Sequence, residues 1–316
     1  MAARLVTIFG GSGFIGRYLV QRLAQRGWLI RVAVRHASSA RFLKPLGNVG
    51  QVTPMAAALQ ERDTLRAAIE GADAVVNLVG LLYERGRQSF ESVHYQGAKA
   101  IAEIAAEAGV GDLAQISAIG ADPQAEADYA RSKGAGEQAV REAFPDAVIL
   151  RPSIVFGAED GFFNLFAAIA QISPVLPLIG GGKTRFQPVY VGDVADAIAA
   201  CLEDPACRGK IYELGGPKVY SFKALLELLL KEIGRRRLLV PLPFALAEIQ
   251  GAVLQNLPVP PLTRDQVRLL RHDNVVAEDA LTLADLGIKP TAAELIVPTY
   301  LDRYRPGGRY STPEAA

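Results

Sequence analysis

The stretch RLVTIFGGSGFIG, residues 4–16, decides how the rest of the chain is read. Arg4–Phe9, a short run rich in β-branched and aromatic residues, reads as a strand, and the glycines after it open a helix over Gly13–Arg26. Gly10 permits a tight turn, Gly13 lets the backbone approach a pyrophosphate, and Gly16 allows the helix to pack closely on the strand. The start of the helix then offers unpaired N–H groups to an anion. A glycine triplet alone is a weak signal. Between a strand and a helix it points to a dinucleotide-binding loop rather than a merely structural turn.

Working outward, strands and helices alternate. Leu29–Val34, Asp73–Val79, Leu113–Ser117 and Ala147–Arg151 read as strands; Arg62–Glu70, Ser89–Ala108 and Tyr129–Ala143 read as helices. That alternation predicts an α/β fold, a doubly wound parallel-sheet Rossmann domain. After Phe156 prolines and glycines become dense. Val189–Val191 and Ile211–Leu214 are expected to rejoin the sheet. Helices at Phe222–Ile233, Phe244–Leu254 and Arg264–Arg271 then form a smaller, mostly helical C-terminal lobe. The expected division is residues 1–155 plus 186–216 for the dinucleotide domain, and 156–185 plus 217–316 for a substrate or partner lobe. Arg303–Ala316, rich in Arg, Gly and Pro, is expected to be a mobile tail.

Composition narrows the classes. Half of the 316 residues are hydrophobic and the net charge is +1, so the chain can build a core and is not a disordered one. Without a basic excess, no nucleic-acid partner is expected. Cys201 and Cys207 are the only cysteines, which excludes a disulfide framework and argues against a metal site. No run approaches the ~18 consecutive apolar residues of a transmembrane segment. The first strand starts almost at residue 1, so no presequence is expected. A cytoplasmic location follows, or a peripheral one on the cytoplasmic face of the inner membrane.

Two features carry chemistry. The second strand is followed by Arg35-His36, a cation where an acidic residue would accept hydrogen bonds from an adenosine ribose. Arg35 suits a 2′-phosphate, so NADP(H) is the expected cofactor. Tyr129 and Lys133 stand at i and i+4 on a helix. A nearby ammonium is expected to lower the tyrosine pKa, so that the phenol can exchange a proton with a substrate, while Lys133 can also hold the nicotinamide ribose. Ser117, at the end of the preceding strand, can donate to a developing oxyanion.

Taken together, GGSGFIG at 10–16, NLVG at 77–80, Tyr129-x-x-x-Lys133, LRPSIVFG at 150–157 and VYVGDVADAI at 189–198 resemble the extended short-chain dehydrogenase/reductases over essentially the whole chain. The resemblance implies that Gly10, Ser12, Gly13, Phe14 and Ile15 face the pyrophosphate, Leu59 the adenine, and Leu78 and Val79 the ribose linkage. It places Pro152 and Ile154 at the nicotinamide, with Tyr129, Lys133 and Ser117 as the catalytic set. Within the superfamily, FGAEDGFFN at 156–164, SPVLPLIGGGKTRFQPVYVGDVADAI at 173–198 and DLGIKP at 285–290 look like the respiratory complex I accessory subunits called alpha subcomplex subunit 9 and their alphaproteobacterial homologues. That subfamily implies a tightly held NADPH and complex I subunits at the membrane arm as partners. The competing implication is an active NADPH-dependent oxidoreductase on a small hydrophobic carbonyl or a quinone precursor.

The chain also departs from the superfamily pattern. Ala118 follows Ser117 where further Ser or Thr is usual, Ala58-Leu59 stands for Asp-Leu, and His94 takes the place of a helix asparagine. His94 reads as a satisfied helix histidine before a proton relay. Arg235-Arg236-Arg237 reads as a solvated helix end, Asp193 and Asp196 as structural, and Lys183 and Arg185 as residues near a substrate cleft.

Overall fold

The computed structural model describes residues 3–86 and 88–308; most of the expected mobile tail, from residue 309 on, lies outside the described residues. The chain divides into two compact units. One runs to Pro152 and adds Val191–Leu214 and Glu278–Lys289; the other comprises Ser153–Tyr190, Gly215–Ala277 and the described residues from Pro290 on.

The first unit is built on seven parallel strands: β1 (Leu5–Phe9), β2 (Leu29–Val34), β3 (Val52–Ala56), β4 (Ala74–Asn77), β5 (Asp112–Ile116), β6 (Val148–Pro152) and β7 (Ile211–Leu214). Their order is β7-β6-β5-β4-β1-β2-β3. Central β1 pairs with β2 and β4 on its two sides, Val6 opposite both Ile30 and Ala74. Sandwiched between layers, β1 is apolar on both faces; its one polar side chain, buried Thr7, donates to the Ala68 carbonyl at 2.6 Å.

Helix α1 (Phe14–Gln25) buries Gly16, Leu19, Val20 and Leu23, an i, i+3, i+4, i+7 stripe. It packs beside α6 (Val191–Glu203). Helices α2 (Arg62–Ile69), α3 (Ala98–Glu107) and α4 (Asp128–Ala143) share a core with the strands, centred on Leu65, Ile69, Ile101, Val140 and Ile149. The parallel doubly wound sheet is therefore present. Strand β3, absent from the alternation read along the chain, holds Pro54, which weakens its pattern. The expected helix Ser89–Ala108 is two segments, a π-helix over Glu91–Gly97 and then α3.

In the second unit α5 (Phe163–Ile172), α7 (Phe222–Glu232), α8 (Phe244–Leu254) and α9 (Arg264–Leu269) accompany three two-stranded sheets. Phe163, Phe222, Leu225, Leu229 and Leu301 are central to its core. Val175–Ile179 and Leu238–Leu242 pair in parallel, although Pro177 and Pro241 lie within them. A two-stranded sheet leaves an outer edge on each strand, where the missing N–H costs nothing.

Two expectations about domain division need correction. Val189–Tyr190 does not rejoin the large sheet but pairs with Val155–Phe156, which puts 186–190 in the second unit. Residues 278–289 return to the first unit, where Leu281 bridges Tyr212 on β7. Both contacts join segments far apart in sequence, and no local pattern signals them.

Candidate functional site

The C-terminal ends of β1, β4 and β5 meet the starts of α1 and α4, and the candidate residues lie there. Gly10 has φ +77°, and a Cβ on it would sit 3.2 Å from the backbone of Leu78 and Val79. The glycine turn thus lies against the backbone just past the end of β4. Gly13 caps α1 without a side-chain hydrogen bond, and no acidic residue lies in the first turn. The leading N–H groups and the positive end of the helix dipole are therefore left to an anion. Asn77, buried in β4, donates to Gln115 Oε1 at 2.8 Å and accepts the Val79 N–H at 3.1 Å, which shapes the turn. The two amides were not among the expected residues; a polar pair inside an otherwise apolar sheet was the available signal.

Lys133 is buried on α4, and its Nζ donates to the Ile116 carbonyl at 3.3 Å. Burial pulls its pKa down to about 8, against the opposing charge of Glu137 one turn on. Glu137 is itself gripped by Arg151, with Nε–Oε1 at 2.9 Å and Nη2–Oε2 at 2.6 Å. With one carbonyl acceptor among the described residues, the ammonium keeps N–H donors for a ligand. Ser117, 3% exposed, follows Ile116; its Oγ is buried without a hydrogen-bond partner among the described residues. An orphaned hydroxyl beside a donor-rich lysine fits a bound polar ligand, such as a ribose or a carbonyl oxygen.

Tyr129 differs from expectation. Its phenol is pushed up to about 12 rather than lowered, because burial penalises the phenolate, and Lys133 Nζ stands 6.0 Å from the ring centre. Desolvation outweighs the attraction of the ammonium.

His94, 2% exposed, lies within the π-helix. Its Nε2 accepts the Leu81 N–H at 2.9 Å, and its Nδ1 lies 2.9 Å from Ser132 Oγ. The backbone donor assigns the proton to Nδ1, which donates to Ser132; Ser132 in turn donates to the Tyr129 carbonyl at 2.8 Å. The ring stacks on Phe90 at 5.3 Å and meets the Tyr129 ring edge-on at 5.4 Å. His94 is the satisfied histidine, and it ties the 77–81 turn to α4.

Burial, and then the charge of Lys133, hold His94 down to about 3. A histidine with a depressed folded pKa stabilises the fold above its unfolded value near 6.5 and loses that stability as pH falls toward the folded value. Between pH 7.5 and 5 the loss from this group is expected to be about 2 kcal/mol. Urea denaturation at the two pH values checks this against His94→Gln, whose pH slope is expected to be shallower. Equal slopes would rule the linkage out.

The remaining expected contacts fall in several places. Arg35 is exposed just after β2 and makes no ion pair among the described residues. Leu59 packs against the end of the π-helix, where a Cβ on Gly97 would lie 2.8 Å from Leu59 Cδ1. Ser12 and Gly13 lie in the turn, Phe14 and Ile15 begin α1, and Pro152 closes β6. Ile154 belongs to the second unit, where its N–H donates to Asn274 Oδ1 at 3.1 Å. No group of three or more metal-ligating side chains occurs among the described residues.

Residues 6–215 match the NAD dependent epimerase/dehydratase family. The chain is 39% identical to the mitochondrial NADH dehydrogenase (ubiquinone) 1 alpha subcomplex subunit 9 of Arabidopsis thaliana, over 96% of this chain and 79% of that one. It is 36% identical to a ceramide reductase of Caulobacter vibrioides, over 65% of this chain and 62% of that one. In fold it is similar to the dTDP-glucose 4,6-dehydratase DesIV of Streptomyces venezuelae, solved with NAD and TYD bound. The TM-score is 0.73 at 19% identity, covering 95% of this chain and 96% of the other.

Proposed function

The chain belongs to the NAD dependent epimerase/dehydratase family, alongside the alpha subcomplex subunit 9 proteins, and from that premise we propose that it is an NADP(H)-holding accessory or assembly subunit of respiratory complex I. The near full-length likeness to the plant subunit carries this reading. The site's residues suit a held nucleotide. His94 is locked by hydrogen bonds at both ring nitrogens and keeps the 77–81 turn against α4. The glycine turn would take the pyrophosphate, Arg35 the 2′-phosphate, and Lys133 the nicotinamide ribose. On this reading the protein works at the membrane through complex I; no helix among its described residues is long and apolar enough to cross one.

Purification from native membranes, with mass spectrometry of the bound nucleotide and co-purifying proteins, tests the proposal. NADPH and complex I subunits are expected together; recovery of the chain alone would overturn the partner assignment. Lys133→Met is expected to weaken NADPH binding about tenfold, the low end of the value of one charge-assisted hydrogen bond, with the fold retained. Unchanged affinity by fluorescence titration would remove Lys133 from the ribose site.

A second reading rests on the orphaned Ser117 hydroxyl and on the name of the Caulobacter relative. Here the chain reduces a hydrophobic carbonyl or quinone precursor, with bound NADPH supplying the hydride. Ser117 would hold the carbonyl oxygen and Tyr129 would give it a proton, while Lys133 favours the phenolate left behind. Single-turnover oxidation of bound NADPH by ceramide-like ketones and quinones separates the readings. Turnover abolished by Tyr129→Phe supports the enzyme, and no oxidation by any acceptor opposes it.

A further inference from the structure

Helix α8 is amphipathic in reverse. Its buried residues are the small ones, Ala247 and Gly251, four apart on one stripe. A Cβ on Gly251 would lie 2.9 Å from the Arg264 nitrogen, so the glycine lets α8 sit directly on the start of α9. Three large side chains face outward, Leu246 55% exposed, Ile249 64% and Val253 68%, at i, i+3 and i+7, while Phe244 packs inward with Ile179 and Ala247. Leu257 and Val259 beyond the helix, and Leu238 and Val240 on the strand leading into it, are exposed as well. Of fifteen exposed large apolar residues among those described, seven lie between 238 and 259. Such a concentration is not the scatter of an ordinary surface.

The segment that carries this face is lopsided in charge. Residues 235–271 hold six arginines, at 235, 236, 237, 264, 268 and 271, against Glu248 and Asp265, a net of +4 in a chain whose total is +1. Glu248 is already engaged by Arg271. Arg235 and Arg237 are oriented by the Tyr304 and Ala170 carbonyls, at 3.1 and 2.8 Å, and Arg236 is exposed between them.

We propose that the outer face of α8, carried by this cationic segment, docks on an anionic lipid bilayer surface. Aliphatic side chains with cations on either side in sequence match the boundary between acyl chains and anionic headgroups. A second copy of the chain fits less well, since it would set two +4 segments face to face. A protein groove fits less well too, because the exposed apolar residues are all aliphatic, whereas interface cores favour aromatics and Met. The inference goes beyond the accessory-subunit reading, as it requires neither nucleotide nor complex I.

Co-sedimentation of the full chain with vesicles of phosphatidylcholine, alone or mixed with phosphatidylglycerol, tests it. Binding is expected on the mixed vesicles, weakening as salt rises. The exposed pair Ile249→Asp/Val253→Asp is expected to lower it at least tenfold, and Arg236→Gln roughly fivefold. Circular dichroism on each variant checks that the fold is intact. Absence of binding, equal binding to neutral vesicles, or indifference to both variants would overturn the proposal. So would a dimer in sedimentation velocity that the aspartate pair abolishes, which would assign the face to a second copy.

Discussion

Arg35→Asp is expected to convert a preference for NADP(H) into one for NAD(H), changing the ratio of the two affinities about a hundredfold. Arg35 follows β2, the strand beside β1, and β1 carries the glycine turn at its end. Its guanidinium makes no ion pair among the described residues, so a 2′-phosphate would meet a cation that gives up no internal bond. Losing a charge-assisted contact of this kind costs roughly 1.5–3 kcal/mol. An aspartate adds repulsion toward the phosphate and an acceptor for the ribose hydroxyls of NAD(H). Isothermal titration with both nucleotides measures the ratio. Should it stay put, Arg35 does not read the 2′ position.

Gly136→Ala is expected to destabilise the first unit by about 3 kcal/mol, the upper part of the overpacking range. An alanine Cβ there would lie 2.0 Å from the His94 carbonyl oxygen, a backbone atom that cannot swing aside. To admit the methyl group, α4 must move off the π-helix. That movement strains the His94–Ser132 bond and shifts Lys133, so nucleotide affinity is expected to fall with stability. Gly161→Ala is the control: nothing lies within 4 Å of its added Cβ, and a change under about 0.5 kcal/mol is expected. Urea denaturation and NADPH titration on both variants provide the comparison. Equal stabilities would show that α4 and the π-helix are not locked together.

Legibility along the chain followed the range of the forces involved. The glycine turn, β2 with Arg35, and the helix bearing Tyr129 and Lys133 rest on local periodicity and backbone sterics, and the structure places all of them within a residue or two of expectation. The i, i+4 spacing of Tyr129 and Lys133 reveals the ammonium but not the burial of the phenol, and burial sets the direction of the shift. The π-helix was read as continuous α-helix because its apolar pattern is nearly the same. Its function-bearing detail, His94 bonded to Leu81 and Ser132, comes from packing against α4.

The segment 235–262 shows the same division of labour. Its composition is apolar and basic, which by itself does not say which side chains are buried. The structure buries Ala247 and Gly251 and turns Leu246, Ile249 and Val253 outward, a choice made by how closely α8 lies on α9. By itself the sequence determined the sheet class, the nucleotide turn, the Tyr-Lys pair and the family, because each is written in residues adjacent or one helical turn apart. Tertiary structure alone decided which strands pair across long gaps, which charges are desolvated, and which apolar residues face water. Those depend on contacts between segments tens to hundreds of residues apart, and no short window of sequence contains both partners.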